Sequence, residues 1–173
     1  MQQRRHGIRL DKQYFNFGSA HFLIFGNGER EELHGHNYRA ELELDGVLDA
    51  GHLVADFIVV KPLFKAACDA LDHRTLLPTQ HPALKVRVED GQVQVEFAEP
   101  DGHIGRFSFP ERDVRLLAIA NTSSELLAGW LLEHFLERLL QKLPNLVIHR
   151  ILVRVEESPG QSAIDERVFE THG

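Results

Sequence analysis

From His34 to Leu44 the chain reads HGHNYRAELEL, an alternation without a break. His34, His36, Tyr38, Ala40, Leu42 and Leu44 share one face, while Asn37, Arg39, Glu41 and Glu43 share the other. A period of two fits a half-buried strand, because successive side chains of an extended chain point to opposite faces. A second run, Val147 to Glu157, behaves alike: Val147, Ile151, Val153, Val155 and Glu157 lie on one face, and Arg150, Arg154 and Glu156 on the other. Strands of this kind commit the chain to a sheet with one apolar side, which something else must cover.

Two helices are available to cover it. Val60, Leu63, Phe64, Ala67, Ala70 and Leu71 recur at helical spacing, which predicts a helix over about 58–72, with Pro62 tolerable only near its first turn. Thr122 and Glu125 have the spacing of a capping box, and the helix they open carries Leu126, Leu127, Trp130, Leu131, Phe135, Leu139 and Leu143 before Pro144-Asn145 ends it. Tyr14 to Phe25 is aromatic-rich and reads as the hairpin partner of the His34 strand, with Gly18 a bulge or a point of close approach. LKVRV, VQVEF and IGRFSF, set between turn signals, predict an inserted β-hairpin unit at about 80–112, and a short strand near Arg167–Thr171 closes the chain. The order ββα(ββ insert)αββ predicts a single α+β domain over 1–173: an antiparallel sheet with two helices on one face.

At 173 residues the chain can bury a core without staples. Its net charge of −7 speaks against a nucleic-acid or anionic-membrane partner through bulk electrostatics. Cys68 is the single cysteine, which excludes an internal disulfide and fits a reducing cytoplasm. Neither a secretory leader nor an apolar run of membrane-spanning length is expected.

Chemistry concentrates at three places. His34 and His36 project together at the mouth of a strand, on the face that turns apolar further along, and His21 lies on the expected partner strand. Three convergent imidazoles are either a crowded polar edge or a zinc site with one position open. Asp72-His73 pairs a carboxylate with an imidazole, suited to proton transfer or simply to ending a helix. Glu157 ends an apolar strand face, where an acceptor-only group needs a donor from a ligand, a backbone turn or an arginine.

HFLIF, the Glu-x-x-His-Gly-His-Asn-Tyr string, GHLVADF, LDH, the Thr/Ser-x-Glu helix cap and the VEES strand end stand in this order from about Phe15 to Ser158. In this the chain resembles the 6-pyruvoyltetrahydropterin synthases and their relatives, the 6-carboxytetrahydropterin synthases. The resemblance implies a tunnelling fold (T-fold) assembled as a hexamer of two trimers, with active sites at subunit boundaries. It implies Zn2+ on His21, His34 and His36, a pterin anchored by Glu157, Asp72 and His73 as the proton-transfer pair, and pterin contacts from Ser123 or Ser124.

One departure matters. Where the common members carry a cysteine base four residues before the first histidine of HGH, this chain has Arg30; Glu31 follows, three residues before His34. This looks like the subgroup in which glutamate replaces cysteine. That likeness implies cleavage of the 7,8-dihydroneopterin triphosphate side chain to 6-hydroxymethyl-7,8-dihydropterin, a folate or related pterin precursor. Zinc would supply Lewis acidity to the side-chain hydroxyls. A carboxylate is intrinsically a weaker base than a thiolate and suits an acidified hydroxyl better than a carbon acid. The alternatives are 6-carboxy- or 6-pyruvoyl-tetrahydropterin synthesis, and a non-catalytic zinc- and pterin-binding protein. Cys68 reads as a core residue, and His81 and His103 as solvent-facing.

Overall fold

A computed structural model describes residues 4–170. The expected long strands are present: β2 (Asn16–His21), β3 (His34–Gly46) and β9 (Ile148–Ser158), preceded by β1 (His6–Leu10) and followed by β10 (Gln161–Val168). Between them lie α1 (Phe57–Asp69), β4 (Arg74–Pro78), β5 (Leu84–Glu89), β6 (Gln92–Ala98), β7 (Ile104–Pro110), β8 (Val114–Leu117) and α2 (Ser124–Lys142). Among the described residues the main sheet has seven strands in the order β10-β9-β3-β2-β4-β8, with β1 beside β2 on the same edge of β3.

The alternation of β3 sets the core. Ala40, Leu42 and Leu44 stand opposite Val155, Val153 and Ile151, and all six are fully buried. α1 adds Val60, Phe64, Ala67 and Cys68, and α2 adds Leu127, Leu131, Phe135 and Leu139, each at helical spacing. Burying one side chain such as Phe64 stabilises by about 1.5–3 kcal/mol, so the two helices lie on the sheet's apolar face. The outer face carries ion pairs: Arg150 reaches Glu43 at 3.0 Å and Glu166 at 2.9 Å.

The structure departs from the sequence reading at several points. β2 stops at His21, because Asn121 takes both polar groups of the Ile24 peptide (Nδ2 to O 2.8 Å, N to Oδ1 3.3 Å) and draws Phe22–Phe25 out of the sheet. Gly18 keeps regular register opposite Asn37; it is a point of close approach, its N–H donating to Asp72 at 2.7 Å. α1 ends at Asp69, so Asp72-His73 lies in the turn after the helix, with Pro62 inside it. β4 and β8 pair in parallel, so the sheet is antiparallel only in its larger part. Val147 is exposed; Ile148 takes its place inside, past a register shift at Asp45/Gly46. The expected hairpin is a separate three-stranded sheet, β5-β6-β7, packed through Leu84, Val93, Val95 and Phe97 against Phe22, Ile24 and Leu77. The closing strand lies earlier than expected, over Gln161–Val168, and Thr171 falls outside the described residues.

Candidate active site

Antiparallel pairing sets His21 opposite His34 and Ser19 opposite His36. Directly opposed residues project to the same face, so the three rings meet at one end of the hairpin. One ring nitrogen from each lies within 4.8 Å of the others. His21 is fully buried, whereas His34 and His36 are partly open. Solvent, or a ligand, reaches the cluster from their side.

Backbone carbonyls fix two of the rings. His21 Nδ1 faces the Thr122 carbonyl at 3.0 Å, and His34 Nδ1 faces the Glu32 carbonyl at 2.8 Å. A carbonyl only accepts, so each Nδ1 carries the proton and each Nε2 presents a lone pair to the centre. Burial pushes the His21 imidazole below its ordinary value, against the raising effect of the Thr122 carbonyl, and so favours the neutral, ligating form. His34 Nε2 and His36 Nε2 approach to 2.8 Å. Two lone pairs tolerate that distance only with a proton or a cation between or against them. Three convergent imidazole nitrogens, two of them on rings oriented by carbonyls, are the donor set of a divalent transition-metal site with a free position. The residues present fit a metal.

Two side chains of the same face join the cluster. Tyr38 Oη donates to His21 Nε2 at 3.0 Å, and burial, reinforced by the Glu157 carboxylate, holds the phenol protonated. Tyr38 was missed as a site residue, although it continues the parity of His34 and His36. Glu157 Oε1 lies 3.3 Å from His36 Nε2 and 3.5 Å from His21 Nε2. Glu31 borders the other side: its Oε2 accepts from the Leu23 N–H at 3.2 Å and stands 3.8 Å from His34 Nδ1.

The helix cap differs from the expected box. Ser123, not Thr122, is the N-cap, accepting from Leu126 N at 3.5 Å. Thr122 is fully buried; its hydroxyl donates to the Phe22 carbonyl at 2.7 Å while its own carbonyl orients His21. Ser124 Oγ is buried without a hydrogen-bond partner. The serines thus sit at the helix end beside the residue that orients His21.

Asp72 and His73 pair with each other, Oδ2 to Nδ1 2.8 Å, but share no hydrogen bond or ion pair with the triad, Glu31 or Glu157 among the described residues. They border a cleft of about 880 Å³ whose lining includes His36 and Tyr38 as well as Asn16, Gly18, Asn37 and Arg39, and Asp72 Oδ1 lies toward the face of Gly18, whose parity in β2 is opposite to that of His21. His73 holds a positive φ of 54°, with its N–H on the Gly18 carbonyl at 2.8 Å. Of the other assignments, Cys68 is buried in the core, with burial pushing its thiol up to about 12. His81 is half-buried, not solvent-facing, its Nδ1 accepting from Ala83 N at 3.1 Å.

An α+β sheet carrying a histidine triad beside a carboxylate defines a T-fold protein with a candidate metal centre. The family model described as 6-pyruvoyl tetrahydropterin synthase matches residues 10–167, and the chain belongs to that family. A Methanocaldococcus jannaschii protein is 32% identical over 156 residues, covering 89% of this chain and 91% of its own. A Pyrococcus abyssi protein is 29% identical over 148 residues, covering 85% and 83%. Both carry the provisional name 6-carboxy-5,6,7,8-tetrahydropterin synthase. The crystal structure of Plasmodium vivax 6-pyruvoyl tetrahydropterin synthase superposes with a TM-score of 0.85 at 30% identity, covering 96% of this chain and all of that one; it is also known with its catalytic glutamate replaced by alanine or by cysteine.

Proposed function

We propose that the chain is a metal-dependent lyase acting on 7,8-dihydroneopterin triphosphate, and that its product is 6-carboxy-5,6,7,8-tetrahydropterin, the product named for the Methanocaldococcus and Pyrococcus relatives. The observation that carries the lyase reading is the convergence of His21, His34 and His36 with Glu31 and Glu157 at their border. Zn2+ suits three neutral imidazoles and, when bound, supplies Lewis acidity to side-chain oxygens. Glu157 accepts from the N–H groups of the pterin ring and orients it, the role that explains a carboxylate at the end of an apolar strand face. Glu31 takes a proton from the reacting side chain. The Thr122 carbonyl holds His21 in place through Nδ1, and Ser123 and Ser124 border the ring-binding end.

Asp72 and His73 serve proton transfer in a site completed by a second copy of the chain. Their place on the sheet side opposite the triad supports this, and a hexamer of two trimers provides such contacts by family resemblance. Mixing a His21→Ala chain with a His73→Ala chain tests it: activity regained on co-assembly is expected, and two inactive chains that stay inactive when mixed exclude shared sites.

A second reading of the product, 6-hydroxymethyl-7,8-dihydropterin, is favoured by one observation. The carboxylate beside the triad is a glutamate in a loop without cysteine, and the P. vivax enzyme also has a catalytic glutamate. A carboxylate suits removal of the 2′-hydroxyl proton; the C1′–C2′ bond then breaks, the electron pair passes into the pterin, and C1′ takes up a proton. Incubation with 7,8-dihydroneopterin triphosphate and mass analysis of the products decides between the two. A carboxylated pterin is expected, a hydroxymethyl pterin selects the second reading, and unchanged substrate excludes both.

A further inference from the structure

The chain between β2 and β3 folds back on itself: Phe25 N donates to Glu29 O and Glu31 N to Leu23 O, both at 2.8 Å, around a turn at Gly28. Arg30 leaves this turn toward the small sheet. Its guanidinium carbon lies 5.0 Å from the Phe107 ring centre, 5.4 Å from Phe22 and 6.0 Å from Phe97, and Phe22 stacks on Phe107 at 5.6 Å. Nε is buried without a hydrogen-bond partner, and no ion pair joins Arg30 to Glu29, Glu31 or Glu32 although all three are near in sequence. A guanidinium paired with none of these three neighbouring carboxylates is held by ring faces, which attract a weakly hydrated planar cation. Nη1 also donates to the backbone carbonyl of Glu31, the residue whose carboxylate borders the triad, at 2.5 Å.

We propose that the aromatic face of the β5-β6-β7 sheet is a clamp on Arg30 and, through it, on the Glu31 peptide, so that Arg30 and Phe107 are positioning residues for the Glu31 carboxylate. The clamp acts in two ways. It fixes the peptide from which Glu31 reaches Leu23 N and the border of the triad. It also keeps the guanidinium off the Glu31 carboxylate, whose lone pairs a freed Arg30 would occupy. The small sheet then contributes to the site without touching substrate. This inference rests on the reading of Glu31 as the proton acceptor.

The test uses the full-length chain with Arg30→Gln, Arg30→Lys and Phe107→Leu. Phe107 is half-buried, and leucine keeps its packing while removing the ring. Amide hydrogen exchange is read first on chelator-treated protein. Exchange at residues 30–34 should rise by about tenfold in Arg30→Gln and Phe107→Leu, with β9 unchanged, and Arg30→Lys should restore part of the protection. Turnover is read second: kcat should fall about tenfold with KM within about twofold, again with partial rescue by lysine. Unaltered exchange in Arg30→Gln overturns the clamp. Faster exchange with unaltered kcat overturns the positioning role. An unsubstituted protein that does not turn over the pterin triphosphate overturns the reading of Glu31, and the exchange data still decide the clamp.

Discussion

Tyr38 donates its hydroxyl to the Nε2 lone pair of His21 at 3.0 Å. That is the lone pair a metal would use, so the phenol and the cation compete for one site. When the metal takes it, Tyr38 can turn to Glu157 Oε1, 3.5 Å away. If His21 is a metal ligand, Tyr38 would be a placeholder that satisfies the buried imidazole in the metal-free state.

Tyr38→Phe should therefore separate the two states. Without metal, the variant leaves a buried nitrogen unsatisfied and loses about 1 kcal/mol. With metal bound the variant loses only the 3.5 Å contact to Glu157, a carboxylate that water also reaches, so the loss should be smaller and metal affinity should rise, by up to about fivefold if the whole of that energy is recovered. Urea titrations with and without chelator measure both. Equal destabilisation in the two conditions would show that the hydroxyl does not compete.

Metal binding should stabilise the folded chain. At a free metal concentration a thousand times Kd the gain is about 4 kcal/mol, visible as a higher Tm that chelator removes. His21→Ala deletes the buried ligand, and its Tm should not respond to chelator. One metal ion per chain in the unsubstituted protein and none in the variant are the expected analyses.

The fold was largely legible wherever half-buried strands alternate. His34–Leu44 showed its core face, and the same parity placed two of the triad histidines. β4 and β8 were not legible: RTLLP and VRLL are too short to show a period, and parallel pairing leaves no turn signal between partners. Thr122 and Ser123 are both plausible caps in sequence; tertiary contacts decide, because Phe22 claims the threonine hydroxyl and leaves the cap to serine. The cage around Arg30 was invisible for a different reason. It brings together Phe22, Phe97 and Phe107 from three segments, and no local pattern announces a contact of that range.

His134 gives a pH dependence away from the site. It stacks on Trp130 with ring centres 4.3 Å apart, and burial, with Arg138 and Arg115 nearby, lowers its imidazole to about 4. Between about 4 and the ordinary 6.5 the unfolded chain holds a proton there that the folded chain does not. Stability therefore rises with pH across this window, and is lost as pH falls through it. His134→Gln should flatten that part of the profile. Trp130, the single tryptophan, should report imidazole protonation in the folded state only near pH 4. A fluorescence transition in the folded protein near 6.5 would contradict the burial argument.

Asp72 tests the turn that carries His73. Partial burial pushes its carboxyl up, but the Gly18 N–H and the adjacent His73 outweigh this and hold it below 3.8. A depressed carboxyl contributes stability above its unfolded value, and that contribution disappears as pH falls through the folded value, so the Asp72 share should be lost as pH falls below 3.8. Asp72→Asn keeps an oxygen for Gly18 and should lose mainly the charge. Asp72→Ala strands the Gly18 N–H and should cost about 1–2 kcal/mol. Denaturant midpoints at neutral pH should fall in the order unsubstituted, Asn, Ala. If Asn and Ala were equally destabilised, the carboxylate charge rather than the hydrogen bond to Gly18 would be holding the turn.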